Sequence, residues 1–316
     1  MNEGALALSN FTGIDFANKA PGFERPAQLP KDDAERARWQ AANRSWWEAS
    51  PMRYDWREAL TAEPGSDAYF REVDRRFFDS ARKYMPWRER PFDALIPFAR
   101  LAGKDALEIG VGQGTHAELI APFCRSFTGI DLTAHAADMT ARRLKLRGVA
   151  GTVRQMDAEE MTFADASFDY IWSWGVIHHS ADTRKVLQEM HRVLKPGGIC
   201  TVMVYHRSWW IFYVCGFLRR LFQKQFRDSG SLHAVTQSAT DGAIARFYSA
   251  REWRALAAPF FEVTAIRIYG LKPEILPLPH GRVKSALERL IPDALARLFT
   301  NRLRMGSFLV AEMRKA

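Results

Sequence analysis

The residues of this chain best suited to chemistry lie between positions 108 and 248. Glu108-Ile-Gly110-Val-Gly112-Gln-Gly114-Thr115 follows a short apolar run and places glycines at alternate positions. Without Cβ atoms, such a loop turns tightly and lets a ligand approach the backbone. Thr115 stands where a dinucleotide loop wants its third glycine, which argues against a nicotinamide-dependent oxidoreductase. Asp131 closes the next apolar run, FTGIDL, 21 residues after Gly110. A carboxylate there can accept hydrogen bonds from both hydroxyls of a ribose. Asp157, in RQMDAEEM, follows a third run and can face the exocyclic amine of an adenine, with Met156 and Ala158 beside the ring. Helix capping is the competing reading for each acid.

His178 and His179 follow a fourth run, and Tyr205 and His206 end a fifth. At the C-terminal edge of a parallel sheet such groups are candidates for a general base, against a plain structural hydrogen bond. Asp241, Arg246 and Tyr248, in TDGAIARFYS, are candidates for reaching a substrate, against a loop salt bridge. His178, His179 and His191 do not form a face with carboxylates at ligand spacing, so no metal is expected.

These residues need a scaffold. From Lys104 onward short apolar runs alternate with helical stretches: DALEIGV and 115–125, FTGIDL and 134–147, GTVRQMD, FDYIWSWGV and 183–194, then GICTVMVYH. That rhythm predicts a parallel sheet with helices on both faces. Residues 228–248 read as a loop and 249–258 as a helix with Ser249 as N-cap. FFEVTAIRIYG reads as a strand, 282–299 as a helix broken at Pro292, and RMGSFLVAEMRK as a closing strand. Upstream, residues 1–30 read as an extended arm, with helices over 31–49 and 66–82, the second starting at Ser66 or Asp67. The expectation is an α/β fold with a Rossmann-like, mostly parallel seven-stranded sheet. Residues 1–94 form an arm and helical cap. Residues 95–316 form the core, with insertions 207–248 and 271–300 after strands 5 and 6.

The glycine loop, Asp131, Asp157, DASFDYIWSWGVIHH (165–179) and the LKPGG turn (194–198) together resemble the class I S-adenosylmethionine-dependent methyltransferases. The texture is closest to small-molecule members such as the quinone-biosynthesis C-methyltransferases. The resemblance covers 104–206 strongly and the flanks more weakly. It implies S-adenosylmethionine as cofactor and S-adenosylhomocysteine as product. It implies that Glu108 and the Gly110, Gly112 and Gly114 backbone hold the amino-acid part, and that Asp131 with Leu132 holds the ribose. Asp157 with Ala158 would hold the adenine, and Ser173, Trp174 and Gly175 would line the sulfonium end. It further implies an aromatic from the cap over the cofactor, with Tyr84 or Trp87 as the candidate; packing between cap and sheet competes. Gln113 departs mildly from the small or polar residues usual there.

The variable parts are aromatic and basic. Trp39, Trp46, Trp47, Trp56 and Trp87 lie in the cap; Trp209, Trp210, Phe212, Tyr213, Phe217 and Phe222 lie in the first insertion. Trp47 and Trp209 are taken as substrate candidates. In 214–227, Val214, Phe217, Leu218, Leu221 and Phe222 share one side of a helix, with Arg219, Arg220, Gln223, Lys224 and Arg227 opposite. Packing on the enzyme or at a dimer interface, a membrane-surface contact, and a lid over a lipophilic pocket are the alternatives. The expected reaction is methyl transfer to a hydrophobic small molecule. The rivals are an RNA-directed methyltransferase or nucleic-acid binder, the oxidoreductase, and a non-catalytic cofactor-binding module. Net charge +9 invites nucleic acid. Against it, the basic residues are spread out and the fourth-strand motif is SWGV. The longest apolar run, 209–218, is about half of the ~20 residues of a spanning helix. The N-terminus lacks a signal peptide's basic and apolar regions, and Cys124, Cys200 and Cys215 form no CxxC pair. A cytoplasmic, optionally membrane-peripheral enzyme is expected.

Overall fold

Runs rich in Val, Ile, Phe and Trp become strands where stretches between them carry helical periodicity. The computed structural model describes residues 27–54, 59–222, 231–237, 240, 242, 244–278 and 281–316. Its strands are β1 (Asp105–Ile109), β2 (Ser126–Asp131), β3 (Thr152–Gln155), β4 (Phe168–Trp174), β5 (Leu194–His206), β6 (Phe247–Tyr248), β7 (Glu262–Tyr269) and β8 (Phe308–Arg314). They form one sheet in the order β3-β2-β1-β4-β5-β8-β7, with β6 on β5. The pairs β1–β2, β1–β4, β2–β3, β4–β5 and β5–β6 are parallel, while β8 runs antiparallel to β5 and β7. The sheet therefore has one strand more than the seven expected. The extra strand, β6, lies in the segment read as a loop. β5 pairs with β4 only as far as Met203, so Tyr205 and His206 present free edge groups that Phe247 and Tyr248 pair.

The helices are α1 (Asp33–Ala49), α2 (Asp67–Tyr84), α3 (Thr115–Ile120), α4 (Ala134–Arg147) and α5 (Thr183–Val193). A π-helical turn, Trp209–Cys215, leads into α6 (Gly216–Phe222). They are followed by α7 (Leu232–Gln237), α8 (Ala250–Ala257), α9 (Arg282–Leu290) and α10 (Asp293–Arg297). α7 also falls within the segment read as a loop. Residues 223–227 of the amphipathic stretch lie outside the described residues. Ser66 starts α2 by accepting from Tyr69 N, and Ser249 starts α8 in a reciprocal capping box with Glu252. Pro292 separates α9 from α10 as its fixed φ and missing N–H require.

Strand alternation sends Leu107 and Ile109 to one face, where Val186, Leu187, Met190 and Val193 of α5 and Trp253 of α8 pack. Ala106, Tyr170 and Trp172 point to the other face, against Phe77 and Ala81 of α2 and Ala117 of α3. The strand order reverses between β1 and β4, which opens a crevice beyond their carboxyl ends.

A single buried cation ties the cap to this edge. Arg143 of α4 is 1% exposed. It donates to Asp74 of α2 at 2.6 Å, to Glu118 of α3 at 2.7 Å, and to Gln113 O at 3.1 Å in the glycine loop. Arg143→Met is expected to lower stability by about 3–5 kcal/mol, because it takes from Asp74 its ionic partner and leaves it the Thr115 hydroxyl. Adding Asp74→Asn should recover part of that loss. Urea midpoints of the two single variants and the double variant test the coupling; strictly additive losses would sink it.

Candidate active site

The crevice floor starts at β1. Gly110, at φ +79°, crosses so close to the loop after β4 that an added Cβ would lie 2.2 Å from a Val176 methyl carbon. Gly112, at φ +52°, is different: a Cβ there would meet nothing within 4 Å, so the loop backbone faces open space. Gly114, at φ +77°, leads into α3, and its missing Cβ makes room for Arg143 and Thr140.

Glu108 sits beneath this loop and is 1% exposed. Its Oε1 lies 3.8 Å from His116 Nδ1, and its Oε2 has no partner. Burial raises its pKa well above the ordinary carboxylate range, and the nearby Asp131 adds to the shift. Burial and then the charge of Arg143 push His116 down to about 3. The imidazole is thus neutral, ringed by Phe92, Trp172, Phe77 and Trp174 at centroid distances of 4.8, 5.2, 5.3 and 5.9 Å. A buried carboxyl with an unpaired oxygen is matched to a cationic group, which would restore its ionised form.

Asp131 ends β2. It accepts from Gly112 N at 3.1 Å and from the Thr133 N–H and hydroxyl at 3.0 and 2.8 Å. Burial raises its pKa against these bonds. Leu132 beside it is half-buried, and its carbonyl accepts from Gln155. Asp157 Oδ1 accepts from Glu159 N at 2.9 Å and from Gln40 Nε2 at 2.8 Å; Ala158 packs against the adjoining core. Ser173 Oγ donates to Ile109 O at 3.1 Å, and Gly175 N donates to Met203 O at 3.1 Å. Trp174 stacks beside Trp172 at 5.5 Å.

α1 lies over this edge and holds it with polar groups that the sequence reading did not single out. Gln40 bridges Asp157 and Ala181 N, Asn43 donates to His179 O, and Glu48 accepts from Ala134 N and His135 N at the start of α4. The available signal was Gln40 and Asn43 sharing a helix face with Trp39. Glu48, Ala134 and Gln155 also line an open depression of about 530 Å³ with Ala41 and Arg44.

A second cluster gathers where β4 and β5 end. His178 is fully buried with no partner for either ring nitrogen, and burial holds its pKa well below the ordinary value. Its ring lies 4.1 Å from that of His179 and 4.0 Å from that of Tyr205. His179 Nδ1 pairs with Ile244 O at 2.6 Å, and its ring meets Trp47 edge-on at 5.1 Å. Tyr205 stacks on Phe247 at 5.4 Å.

Other candidates lie outside the cluster or, as with Arg246, whose backbone N–H donates to His178 O at 3.0 Å, at its border. Alternation points His206 to the face opposite Tyr205, where its Nδ1 meets Gly306 O at 2.8 Å. Arg246 donates to the carbonyls of Gln28, Ser180 and Ala181, and Tyr248 donates to Thr183 Oγ1 at 3.0 Å. The Tyr84 ring packs between Tyr269 and Phe308, at 6.2 and 5.5 Å. Trp87 meets Phe78 at 6.0 Å. Trp209 is on the surface, donating to Leu303 O. Asp241 and Trp56 lie outside the described residues.

Known proteins resemble this chain over its central part. Residues 107–202 match the family described as "Methyltransferase domain". A Mycolicibacterium smegmatis protein named as a probable S-adenosylmethionine-dependent methyltransferase is 34% identical over 108 residues, 34% of this chain and 40% of its own length. A ubiquinone biosynthesis O-methyltransferase of Pseudomonas aeruginosa is 32% identical over 146 residues, 45% of this chain and 62% of its own length. The chain thus spans less than two thirds of these relatives. A solved S-adenosylmethionine-dependent methyltransferase from Methanosarcina mazei superposes with TM-score 0.48 at 18% identity, covering 72% of this chain and 99% of that one. The segment 107–202 thus matches a methyltransferase-domain family, in line with the resemblance read from the sequence.

The buried imidazole gives a pH test. The folded pKa of His116 is depressed to about 3 from 6.5, so its contribution is fully present above pH 6.5 and lost as pH falls toward 3. Between about pH 6 and 4, the stability of His116→Phe should fall less steeply than that of the native chain, by about 1.4 kcal/mol per pH unit. Denaturant melts at several pH values measure the slopes; equal slopes would mean that His116 is protonated when folded.

Proposed function

We propose that this chain transfers a methyl group from S-adenosylmethionine to a hydrophobic small molecule. The observation that carries the cofactor half is Glu108, buried with an unpaired oxygen below the open Gly112 backbone in a methyltransferase domain. The residues fit the cofactor. Glu108 and the backbone of 110–114 would hold its amino-acid part, Asp131 with Leu132 its ribose, and Asp157 with Ala158 its adenine. Ser173, Trp174 and Gly175 would border the sulfonium. Bound there, the cofactor supplies a methyl group on a good leaving group, so the protein's tasks are alignment and exclusion of water.

The acceptor side is the His178, His179, Tyr205 and Trp47 cluster. Its aromatic lining suits an apolar ring, and a relative named for ubiquinone biosynthesis supports that class. Both nitrogens of His178 are unpaired, which makes it the candidate to accept a hydrogen bond or proton from an acceptor group, while burial opposes its charged form.

Two measurements test these assignments. Calorimetry with S-adenosylhomocysteine should show binding accompanied by proton release, because burial raises the Glu108 pKa and pairing with a cation favours its ionised form. Glu108→Gln should abolish that release and weaken binding by about 1.5–3 kcal/mol, the range for a hydrogen bond to a charged group. Binding of NAD in place of S-adenosylhomocysteine would end the cofactor reading. His178→Ala should lower turnover by about 10²–10⁴-fold while leaving cofactor affinity unchanged. An unaltered turnover would remove His178 from the chemistry.

A further inference from the structure

The amphipathic stretch after β5 turns its apolar side outward. Trp209, Tyr213, Phe217 and Leu221 repeat every four residues through the π-helical turn and α6, and all are exposed; Phe217 is 56% exposed. Phe222, at the end of α6, reaches 73%. The opposite side of the same helix, Phe212, Cys215 and Gly216, is buried. α9 repeats the arrangement: Val283 is 71% exposed and Leu290 78%, with Leu287 between them, while Lys284 on its inner side is buried.

The π-helical turn is bonded to the segments that precede and follow α9. Trp209 Nε1 donates to Leu303 O at 3.0 Å, and Trp210 Nε1 donates to Glu274 O at 2.8 Å. The charge of Arg219 on α6 bears on Lys284 of α9. Scattered exposed leucines are ordinary, but apolar stripes on adjacent helices mark a contact surface. In the segments 207–222 and 281–304, which frame it, Arg282, Arg289, Arg302 and Arg304 are exposed, and the acids are Glu288 and Asp293. A second copy of the chain would bring like charges together across such a face. An anionic lipid surface pairs with both the apolar stripes and the basic frame. Among the described residues no helix is long and apolar enough to cross a membrane, so the contact would lie in the plane of the interface.

We infer that the exposed face of the π-helical turn, α6 and α9 docks the protein peripherally on an anionic membrane. The inference does not depend on the methyl-transfer reading. It is tested by co-sedimenting the full chain with vesicles of phosphatidylcholine alone, or of phosphatidylcholine with phosphatidylglycerol. The expected result is binding to the mixed vesicles, weak binding to the neutral ones, and release as salt rises and the Debye length falls below ~10 Å. F217D/L221D should bind the mixed vesicles about tenfold more weakly or worse. R282E/R289E should lose binding through charge alone. Both variants change exposed side chains, and melting curves matching the native chain confirm their folding. The proposal is overturned if the native chain stays in the supernatant with both vesicles, if it binds the two equally, or if F217D/L221D binds like the native chain. It is also overturned if the native chain sediments as a dimer that F217D/L221D dissociates, which would make the face a self-interface.

Discussion

The burial of one positive charge organises this protein's ligand-facing edge. Arg143 has almost no contact with water, and removing a guanidinium from water costs several kcal/mol unless its donors are met. Its partners come from α2, α3 and the glycine loop. These elements cannot shift independently without exposing the charge's loss of partners. The same cation sets the electrostatics next door. It acts against the burial-driven rise of the Glu108 pKa and with the burial-driven fall of the His116 pKa. A network that fixes geometry also keeps a carboxyl ready to ionise and an imidazole neutral.

The two cap helices are held by different physics. α2 contributes Tyr69, Phe70, Val73 and Phe77 to buried clusters, and its Asp74 meets Arg143. α1 is joined to the core mainly by side-chain amides and carboxylates: Gln40 to Asp157, Asn43 to His179 O, Glu48 to the start of α4, and Arg36 to Glu159 and Glu160. Its apolar anchor is Trp39, packed with Ala181 and Ile244. Lifting α1 would expose Trp39 and part Arg36 from the buried Glu159, whereas lifting α2 would expose several rings and take Asp74 from the more deeply buried Arg143. Movement over the crevice is therefore less costly for α1 than for α2.

The strand-and-helix rhythm, the glycine loop, the two acids and the helix caps at Ser66 and Ser249 were legible because they rest on local rules. β6 and α7 were not. β6 is two residues long and exists because β5 outruns β4, a fact of sheet register that no local window contains. The clasp of α1 was hidden for the same reason, since Gln40 and Asp157 are 117 positions apart. The sequence showed that the stretch after Val214 has two faces, but periodicity does not say which face turns inward. Phe212 and Cys215 fill the space over β6, and the stripe containing Phe217 and Leu221 faces out.

That orientation links surface and interior. Phe212, on the inner side of the π-helical turn, packs against Phe247 at 5.5 Å; Phe247 stacks on Tyr205 at 5.4 Å; and Tyr205 lies 4.0 Å from His178. Three successive ring contacts run from the helix bearing the exposed stripe to the unpaired histidine. Arg207 adds a backbone tie, its N–H donating to Tyr248 O at 2.9 Å. Packed aromatic contacts transmit displacement because interiors have few voids to absorb it. Whatever seats or shifts the outer face of α6 thus bears on the packing of Tyr205 and His178. Trp209 to Leu218 thus carries packed rings on its inner side and exposed ones on its outer side.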